Sequence, residues 1–120
     1  MYRVILADDS DDFLEWLRSL LEGSQEFQIM GEARTGAEAL RLIEHQLPDL
    51  VISDVDMPDL DGLELARSVR RQQSGIKVIL VSGHTERLYE RLAREEGTLA
   101  FIPKSQLSLD ALHRALRKEG

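Results

Sequence analysis

Short apolar runs alternate with amphipathic helical patterns along the whole chain, and this alternation constrains the fold most strongly. Four continuous apolar runs span residues 4–7, 50–52, 78–81 and 99–102. Since they are too short for buried helices, and three are rich in β-branched residues, they predict strands covered on both faces. Residues 27–33 form a fifth segment of mixed polarity, which is typical of a strand at a sheet edge.

Between these runs, apolar residues recur at the spacing of a helix. In the first helical segment this spacing places Trp16 in the core or at its flank rather than in a ligand site. The strand-helix order, repeated five times, predicts a five-stranded parallel sheet with helices on both faces. The expected fold is α/β and flavodoxin-like, (βα)5, with strand order 2-1-3-4-5. The helical stripes are Phe13, Trp16, Leu17 and Leu20; Ala39, Leu40 and Ile43; Leu63, Ala66 and Val69; Leu88, Leu92 and Ala93; Leu109, Leu112 and Leu116.

The length and composition narrow the class of protein. A chain of 120 residues fits one domain, residues 1–120. It has no cysteine, which excludes disulfides and thiolate metal sites. We expect a cytoplasmic protein without a membrane span, since no apolar run approaches the ~18 residues that crossing a bilayer needs.

The charge balance argues against direct binding of nucleic acid. The formal net charge is −7, from 22 acidic and 15 basic residues, so the chain as a whole repels phosphate backbones. Two basic clusters are expected to be solvated helix faces. They are Arg70, Arg71 and Lys77, and Arg87, Arg91 and Arg94.

Polar groups end four of the five predicted strands. Each has an ordinary explanation by itself, such as a helix cap, a turn or a surface lysine. All carboxyl ends of parallel strands meet at one edge of the sheet, however, and ligands bind there. Convergence at that edge favours a functional site. The residues are Asp8 and Asp9 after the first strand, Asp54 at the third, Ser82 at the fourth and Lys104 after the fifth.

Three of these groups are carboxylates, and their proximity has a chemical consequence. Asp8, Asp9 and Asp54 either raise each other's pKa or recruit a cation. Oxygen ligands without His or Cys suit Mg²⁺, with Mn²⁺ as an alternative. Such a cation and the ammonium of Lys104 offset the three negative charges and prepare the site for a phosphate. A carboxylate can then act as the nucleophile in phosphoryl transfer.

The motifs resemble those of a known family, the receiver domain of two-component response regulators. The similarity extends over essentially the whole chain. It lies in Asp8-Asp9, Asp54-x-x-Met57-Pro58-x-x-x-Gly62, Ser82-Gly83 and Phe101-x-x-Lys104.

The resemblance implies a role for each residue at the metal site. Asp54 would accept a phosphoryl group from a sensor histidine kinase or phosphotransfer protein. Asp9 and Asp54 would ligate Mg²⁺ directly, Asp8 partly through water, and Asp56 through its main-chain carbonyl. Lys104 would pair with the phosphate or, before phosphorylation, with Asp54.

The resemblance also implies a readout of phosphorylation. The Ser82 hydroxyl would bond a phosphoryl oxygen and move inward, and Phe101 would turn inward with it. The surface of the fourth helix, fifth strand and fifth helix would then change and control an output domain or partner in transcriptional regulation. Asp56 and His84, two residues beyond Asp54 and Ser82, would tune the lifetime of the acyl phosphate.

Local sequence is most similar to that of nitrate-response and LuxR-type regulators, which carry a helix-turn-helix output domain. The similarity lies in residues 7–10, 17–22 and 97–105. A homodimer is expected, either through the surface of the fourth helix, fifth strand and fifth helix or through the first and fifth helices.

Three alternatives stay open from sequence. A haloacid-dehalogenase-type phosphatase uses an Asp-x-Asp pair such as Asp54 and Asp56, but places it on its first strand and needs a longer chain. A toprim-like nuclease domain also carries Asp-x-Asp, yet it uses a glutamate after its first strand. A receiver-like interaction module that is never phosphorylated is the third, although such relatives usually lose the acceptor or the lysine.

Overall fold

The computed structural model describes residues 1–72, 75–83 and 87–117, in which five strands alternate with five α-helices. A short 3₁₀ turn, Lys104–Gln106, follows the last strand. The strands are β1 (Tyr2–Ala7), β2 (Phe27–Ala33), β3 (Leu50–Asp54), β4 (Lys77–Ser82) and β5 (Ala100–Pro103). The helices are α1 (Asp11–Glu22), α2 (Gly36–Gln46), α3 (Gly62–Gln72), α4 (Arg87–Glu95) and α5 (Leu109–Arg117).

The strands form one parallel sheet in the order β2-β1-β3-β4-β5. This order confirms the predicted flavodoxin-like topology and places β2 at an edge. The bounds of the other four strands differ from the apolar runs by one or two residues at an end; β3 and β4, for example, extend to Asp54 and Ser82. Backbone pairing decides where a strand ends, and it continues into polar residues that an apolar pattern leaves out.

Hydrophobic side chains fill both faces of the sheet. Alternate residues of β1 point to opposite faces, as the pleat of a strand requires. Val4 and Leu6 belong to the core beneath α1 and α5, named the α1–α5 core, with Leu14, Leu17, Leu112 and Leu116. Ile5 and Ala7 belong to the core beneath α2, α3 and α4, named the α2–α4 core, with Ala39, Ile43, Leu65, Val69 and Ala93. This two-sided burial is why the central strands read as continuous apolar runs.

Two positions of the predicted helical stripes lie outside the core. Trp16 is 45% exposed, so it lies at the flank of the core rather than within it. Leu88 is 51% exposed, and the prediction that it belongs to a buried stripe of α4 is wrong. Among the described residues of α4 only Ala93 is fully buried, so this helix contacts the sheet through a narrow row.

In the described part of the chain, no helix has both the length and the apolarity to cross a bilayer.

Candidate functional site

The carboxyl edge of the sheet collects the polar residues that the sequence pattern singles out. Asp8 directly follows β1, while Asp54 and Ser82 are the last residues of β3 and β4. Lys104 begins the turn after β5. These positions follow from parallel pairing, since every strand of such a sheet ends at the same edge.

Three carboxylates meet at this edge. Asp8, Asp9 and Asp54 each offer an oxygen, and these oxygens lie within 4.8 Å of one another. Asp8 and Asp54 are 1% and 5% exposed, whereas Asp9 is open to solvent. A group of oxygen ligands with one open side fits Mg²⁺, which keeps several of its waters when a protein binds it.

Lys104 supplies the positive charge of the cluster. Its Nζ lies 2.8 Å from Asp8 Oδ2 and 3.3 Å from Asp54 Oδ2. The resemblance predicts a contact with Asp54, and the structure adds a shorter one to Asp8. One ammonium therefore bridges two buried carboxylates, which offsets part of their mutual repulsion.

The acidity of Asp54 is set mainly by its burial. Desolvation and the nearby charge of Asp8 raise the pKa of Asp54 to about 6, although Lys104 and the Asp56 main-chain N–H act in the other direction. Burial also disfavours the Lys104 ammonium, but its contacts with Asp8 and Asp54 outweigh burial and hold its pKa above the usual value. The site thus has excess negative charge that a cation would relieve.

Local hydrogen bonds orient the acidic residue after β1. Asp8 Oδ1 accepts a bond from the Ser10 main-chain N–H at 2.9 Å, which leaves Oδ2 facing Lys104. Ser10 is the N-cap of α1, and its Oγ accepts a bond from Phe13 N at 3.2 Å. The start of α1 therefore fixes the orientation of the Asp8 carboxylate.

The turn after β3 orients Asp54 in a similar way. Asp54 Oδ1 accepts a hydrogen bond of 3.2 Å from the main-chain N–H of Asp56, a residue that is exposed. Gly62 N donates to the Val55 main-chain oxygen at 2.8 Å. A Cβ at Gly62 would collide with the Asp54 main-chain oxygen and lie 3.0 Å from Val55 Cα. Only glycine allows α3 to begin this close to the backbone of Asp54.

Sequence reasoning missed a connection between this turn and α2. The Asp59 carboxylate accepts bonds from Gly36 N at 2.8 Å and Ala37 N at 3.0 Å, at the first residues of α2. These two bonds hold the pKa of Asp59 below its usual value. No local pattern could reveal this contact, because the partners are 22 and 23 residues apart in the chain.

Sequence reasoning also missed the contact between Phe13 and the lysine. Lys104 Nζ lies 4.2 Å from the centroid of the Phe13 ring. The helical spacing of Phe13 predicts only a core position, and it is indeed partly buried against the α1–α5 core. The sequence feature that could have indicated this contact is an aromatic residue in the first turn of the helix that follows the acidic pair Asp8-Asp9.

The residues of the expected readout lie on β4 and β5. Ser82 is fully buried, and Phe101 packs partly buried against the α2–α4 core. Phe101 also lines a groove of about 480 Å³, hereafter the α4–β5–α5 groove. His84 lies outside the described residues. The groove is also lined by Glu90, Arg94, Gln106, Ala111 and Arg114.

Comparison with known proteins gives one consistent family. The family model of the response regulator receiver domain matches residues 4–117. A probable transcriptional regulatory protein NarL from Mycobacterium tuberculosis is 33% identical over 95% of this chain. A protein-glutamate methylesterase/protein-glutamine glutaminase from Pyrococcus abyssi is 34% identical over 98% of it. The chain spans 53% and 32% of the lengths of these two relatives.

Solved structures agree in fold. The signal receiver domain of the putative response regulator NarL from Mycobacterium tuberculosis superposes with a TM-score of 0.87 at 33% identity, covering 96% of each chain. A LuxR-family DNA-binding response regulator from Staphylococcus aureus gives 0.89 at 28% identity, covering 98% of each chain. The motif spacing, the sheet order and these matches agree: the chain belongs to the response regulator receiver domain family and is of the NarL/LuxR type.

Proposed function

We propose that Asp54 accepts a phosphoryl group from a sensor histidine kinase or phosphotransfer protein, and that residues 1–120 act as one receiver unit. Phosphorylation by a kinase is the general function of this family. The observation that carries the proposal is the bridging of Asp8 and Asp54 by the Lys104 ammonium beside a third carboxylate, Asp9.

The reaction is an in-line displacement at phosphorus. An Asp54 carboxylate oxygen attacks the phosphorus of a phosphohistidine, forming a P–O bond as the P–N bond breaks. The departing imidazole keeps the electron pair and takes up a proton. Lys104 lies within reach of Asp54 Oδ2, so its ammonium is placed to attract the oxygens of the transferred group. In this proposal the domain catalyses only its own phosphorylation and dephosphorylation.

Mg²⁺ is the cofactor that the site fits, with Mn²⁺ as the alternative. Asp9 and Asp54 would hold it directly with their carboxylates, Asp8 partly through water, and Asp56 with its main-chain carbonyl. When bound, the cation neutralises charge on the phosphoryl group during transfer. The bond from Ser10 N already fixes the orientation of the Asp8 carboxylate at this edge of the sheet.

The readout would run through Ser82 and Phe101 to the α4–β5–α5 groove. Ser82 ends the strand that pairs with β3, so its hydroxyl lies at the same sheet edge as Asp54. Phe101 lines the groove and packs on the core, so a change in its rotamer would alter the groove's shape. Shifting a population from 1:99 to 99:1 takes about 5.5 kcal/mol of differential binding, a scale that new contacts to a phosphoryl group can supply.

We further propose transcriptional regulation in the cytoplasm as the output. Both the NarL relative and the LuxR-family neighbour are named as regulators of transcription or DNA-binding proteins. The net charge of −7 indicates that this domain does not contact DNA itself, so an output domain or partner would do so. A homodimer, formed through the α4–β5–α5 face or through α1 and α5, would couple phosphorylation of this domain to its output domain or partner.

Asp56 and His84 would set how long the acyl phosphate lasts. Asp56 is exposed beside the acceptor and adds negative charge there. We expect Asp56→Asn and His84→Ala to change the dephosphorylation rate while phosphorylation is retained. Unchanged rates in both variants would remove this part of the proposal.

Intact-mass measurement with acetyl phosphate and Mg²⁺ tests the acceptor. The wild type should gain the mass of one phosphoryl group, and the adduct should vanish with chelator or in Asp54→Asn. Asp12→Asn, at an exposed aspartate of α1, is the matched control and should keep the adduct. A wild type that gains no phosphoryl group would favour an interaction module that is never phosphorylated.

A second measurement addresses the enzyme alternatives. A haloacid-dehalogenase-type phosphatase or toprim-like nuclease using Asp54 and Asp56 would turn over an external phosphoester. The family match over residues 4–117 supports the switch instead. We expect no release of phosphate or nucleotide from such substrates with Mg²⁺, and steady turnover that Asp54→Asn abolishes would reverse the assignment.

A further inference from the structure

We infer that Phe13 is a positioning residue for phosphoryl transfer, whose ring face holds the Lys104 ammonium where it reaches both Asp8 and Asp54. The inference rests on the proposed function of Asp54. It adds a non-polar group to a site whose other members are all charged or hydroxylated.

Three contacts converge on one ammonium. Lys104 Nζ lies 4.2 Å from the Phe13 ring centroid, 2.8 Å from Asp8 Oδ2 and 3.3 Å from Asp54 Oδ2. The lysine side chain is 24% exposed. Partial exclusion of water strengthens the attraction between a cation and an aromatic face. The flexible four-carbon stem of a lysine has little order by itself, so each contact narrows where the charge can lie.

The ring is held by the same elements that build the acidic cluster. Phe13 N donates to Ser10 Oγ at 3.2 Å, and Ser10 N donates to Asp8 Oδ1 at 2.9 Å. The Phe13 ring also contacts the Trp16 ring, with centroids 5.7 Å apart and planes tilted by 30°. The ring that contacts Lys104 and the carboxylate that pairs with it are therefore positioned together by the first turn of α1.

An aromatic face suits this position for an electrostatic reason. The cluster already contains three carboxylates, and a fourth would attract Lys104 but repel an incoming phosphoryl group. A ring attracts the cation through its quadrupole and adds no net charge. Phe13 can thus restrain Lys104 without lowering the affinity of the site for phosphate.

A double-mutant cycle tests the inference, with the initial rate of Asp54 phosphorylation by acetyl phosphate at saturating Mg²⁺ as the measured quantity. Phe13→Leu should lower this rate about 3- to 30-fold, since the ring contact is lost. Phe13→Tyr keeps the ring face and should stay within about twofold of the wild type. In a Lys104→Met background, Phe13→Leu should have no further effect, because the group on which the ring acts is gone.

Packing is the competing explanation, because Phe13 is partly buried against the α1–α5 core. Leu20→Ala is the matched control: Leu20 is also partly buried on α1 and packs against the same core. It should lower the urea midpoint and leave the phosphorylation rate unchanged. Phe13→Met keeps flexible apolar bulk but loses the ring. Its Asp54 should be phosphorylated more slowly than that of the wild type, although the variant should keep much of the wild-type urea midpoint.

Two results would overturn the inference. One is a Phe13→Leu protein that is phosphorylated at the wild-type rate. The other is an equal fold-loss in phosphorylation rate from Phe13→Leu with and without Lys104. Either result would leave the proposed function of Asp54 intact, since the wild type is phosphorylated in both. A wild type that takes up no phosphoryl group would instead overturn the proposed function and this inference with it.

Discussion

At the scale of single residues, Asp54 combines burial with a neighbouring like charge. It is 5% exposed, and Asp8 lies beside it with Lys104 between them. Burial and Asp8 together raise the pKa of Asp54 to about 6, so the folded protein without a cation binds a proton there more tightly than the unfolded chain does. Asp54 is therefore a destabilising group at neutral pH, as expected of a buried carboxylate whose pKa is raised.

This arrangement predicts how stability depends on pH. The ordinary pKa of the carboxyl is 3.8 and the folded value is about 6, so its stabilising contribution is complete below 3.8 and is lost as the pH rises through 6. In chelator at about pH 8, Asp54→Asn should therefore unfold with a free energy about 1–3 kcal/mol above that of the wild type. The gain should largely disappear near pH 4 in urea titrations. A gain that is equal at both pH values would contradict this explanation.

The same pKa predicts competition between protons and magnesium. Below a pH of about 6 the Asp54 carboxylate is protonated and lacks the charge that a cation needs. Calorimetric titration should show the apparent Mg²⁺ dissociation constant rising as the pH falls below 6, towards tenfold per pH unit. Asp54→Asn should bind more weakly and without that dependence, and the same dependence in this variant would assign it to another group.

At the scale of elements, the turn between β3 and α3 connects Asp54 to two helices. Gly62 lets α3 begin against the backbone of Asp54, and Asp59 caps α2 from the same turn. The two contacts differ in kind, because the first is steric and the second is electrostatic. They therefore predict different responses to substitution.

Gly62→Ala tests the steric contact. The added Cβ would meet the Asp54 main-chain oxygen and Val55 Cα, so the backbone that carries the Asp54 side chain must shift. We expect a loss of about 1–3 kcal/mol in the free energy of unfolding, together with slower phosphorylation. Gly75→Ala is the control, since a Cβ there meets nothing within 4 Å, and its effect should stay within about 0.5 kcal/mol. Equal effects of the two substitutions would refute the steric role of Gly62.

Asp59→Ala tests the electrostatic contact with α2. The pKa of Asp59 lies below its ordinary value of 3.8, so its stabilising contribution is present above 3.8 and is lost as the pH falls through the lowered value. The variant should have a lower urea midpoint than the wild type at neutral pH, and the difference should shrink below pH 3.8. Asp54 should still be phosphorylated. A midpoint difference that grows in acid would contradict the capping role.

At the scale of the whole molecule, the sequence predicted what depends on local pattern and on the geometry of parallel sheets. The order of elements followed from the alternation of apolar runs and helical stripes, and the meeting of Asp8, Asp54 and Lys104 followed from the common edge where strands end. The family resemblance then supplied the proposed roles of these residues. The match of the family model over residues 4–117 confirmed the family itself.

What the sequence did not predict lies in contacts between distant segments. Asp59 reaches α2, and Phe13 reaches Lys104, through packing that leaves no periodic signal in either segment. Leu88 was wrongly assigned to a buried stripe, because a helical spacing does not tell how wide a row the sheet will cover. Local pattern thus located the candidate site, whereas the three-dimensional structure was needed to show what holds its residues in place.

Trapping of the phosphorylated residue tests the central claim most directly. An aspartyl phosphate is reduced by borohydride to homoserine, which peptide sequencing by mass spectrometry locates. After treatment with acetyl phosphate and Mg²⁺, homoserine should replace Asp54 alone. Homoserine at Asp8 or Asp9, or an unmodified Asp54 in a protein that carries phosphate elsewhere, would contradict the assignment of Asp54 as the phosphoryl acceptor.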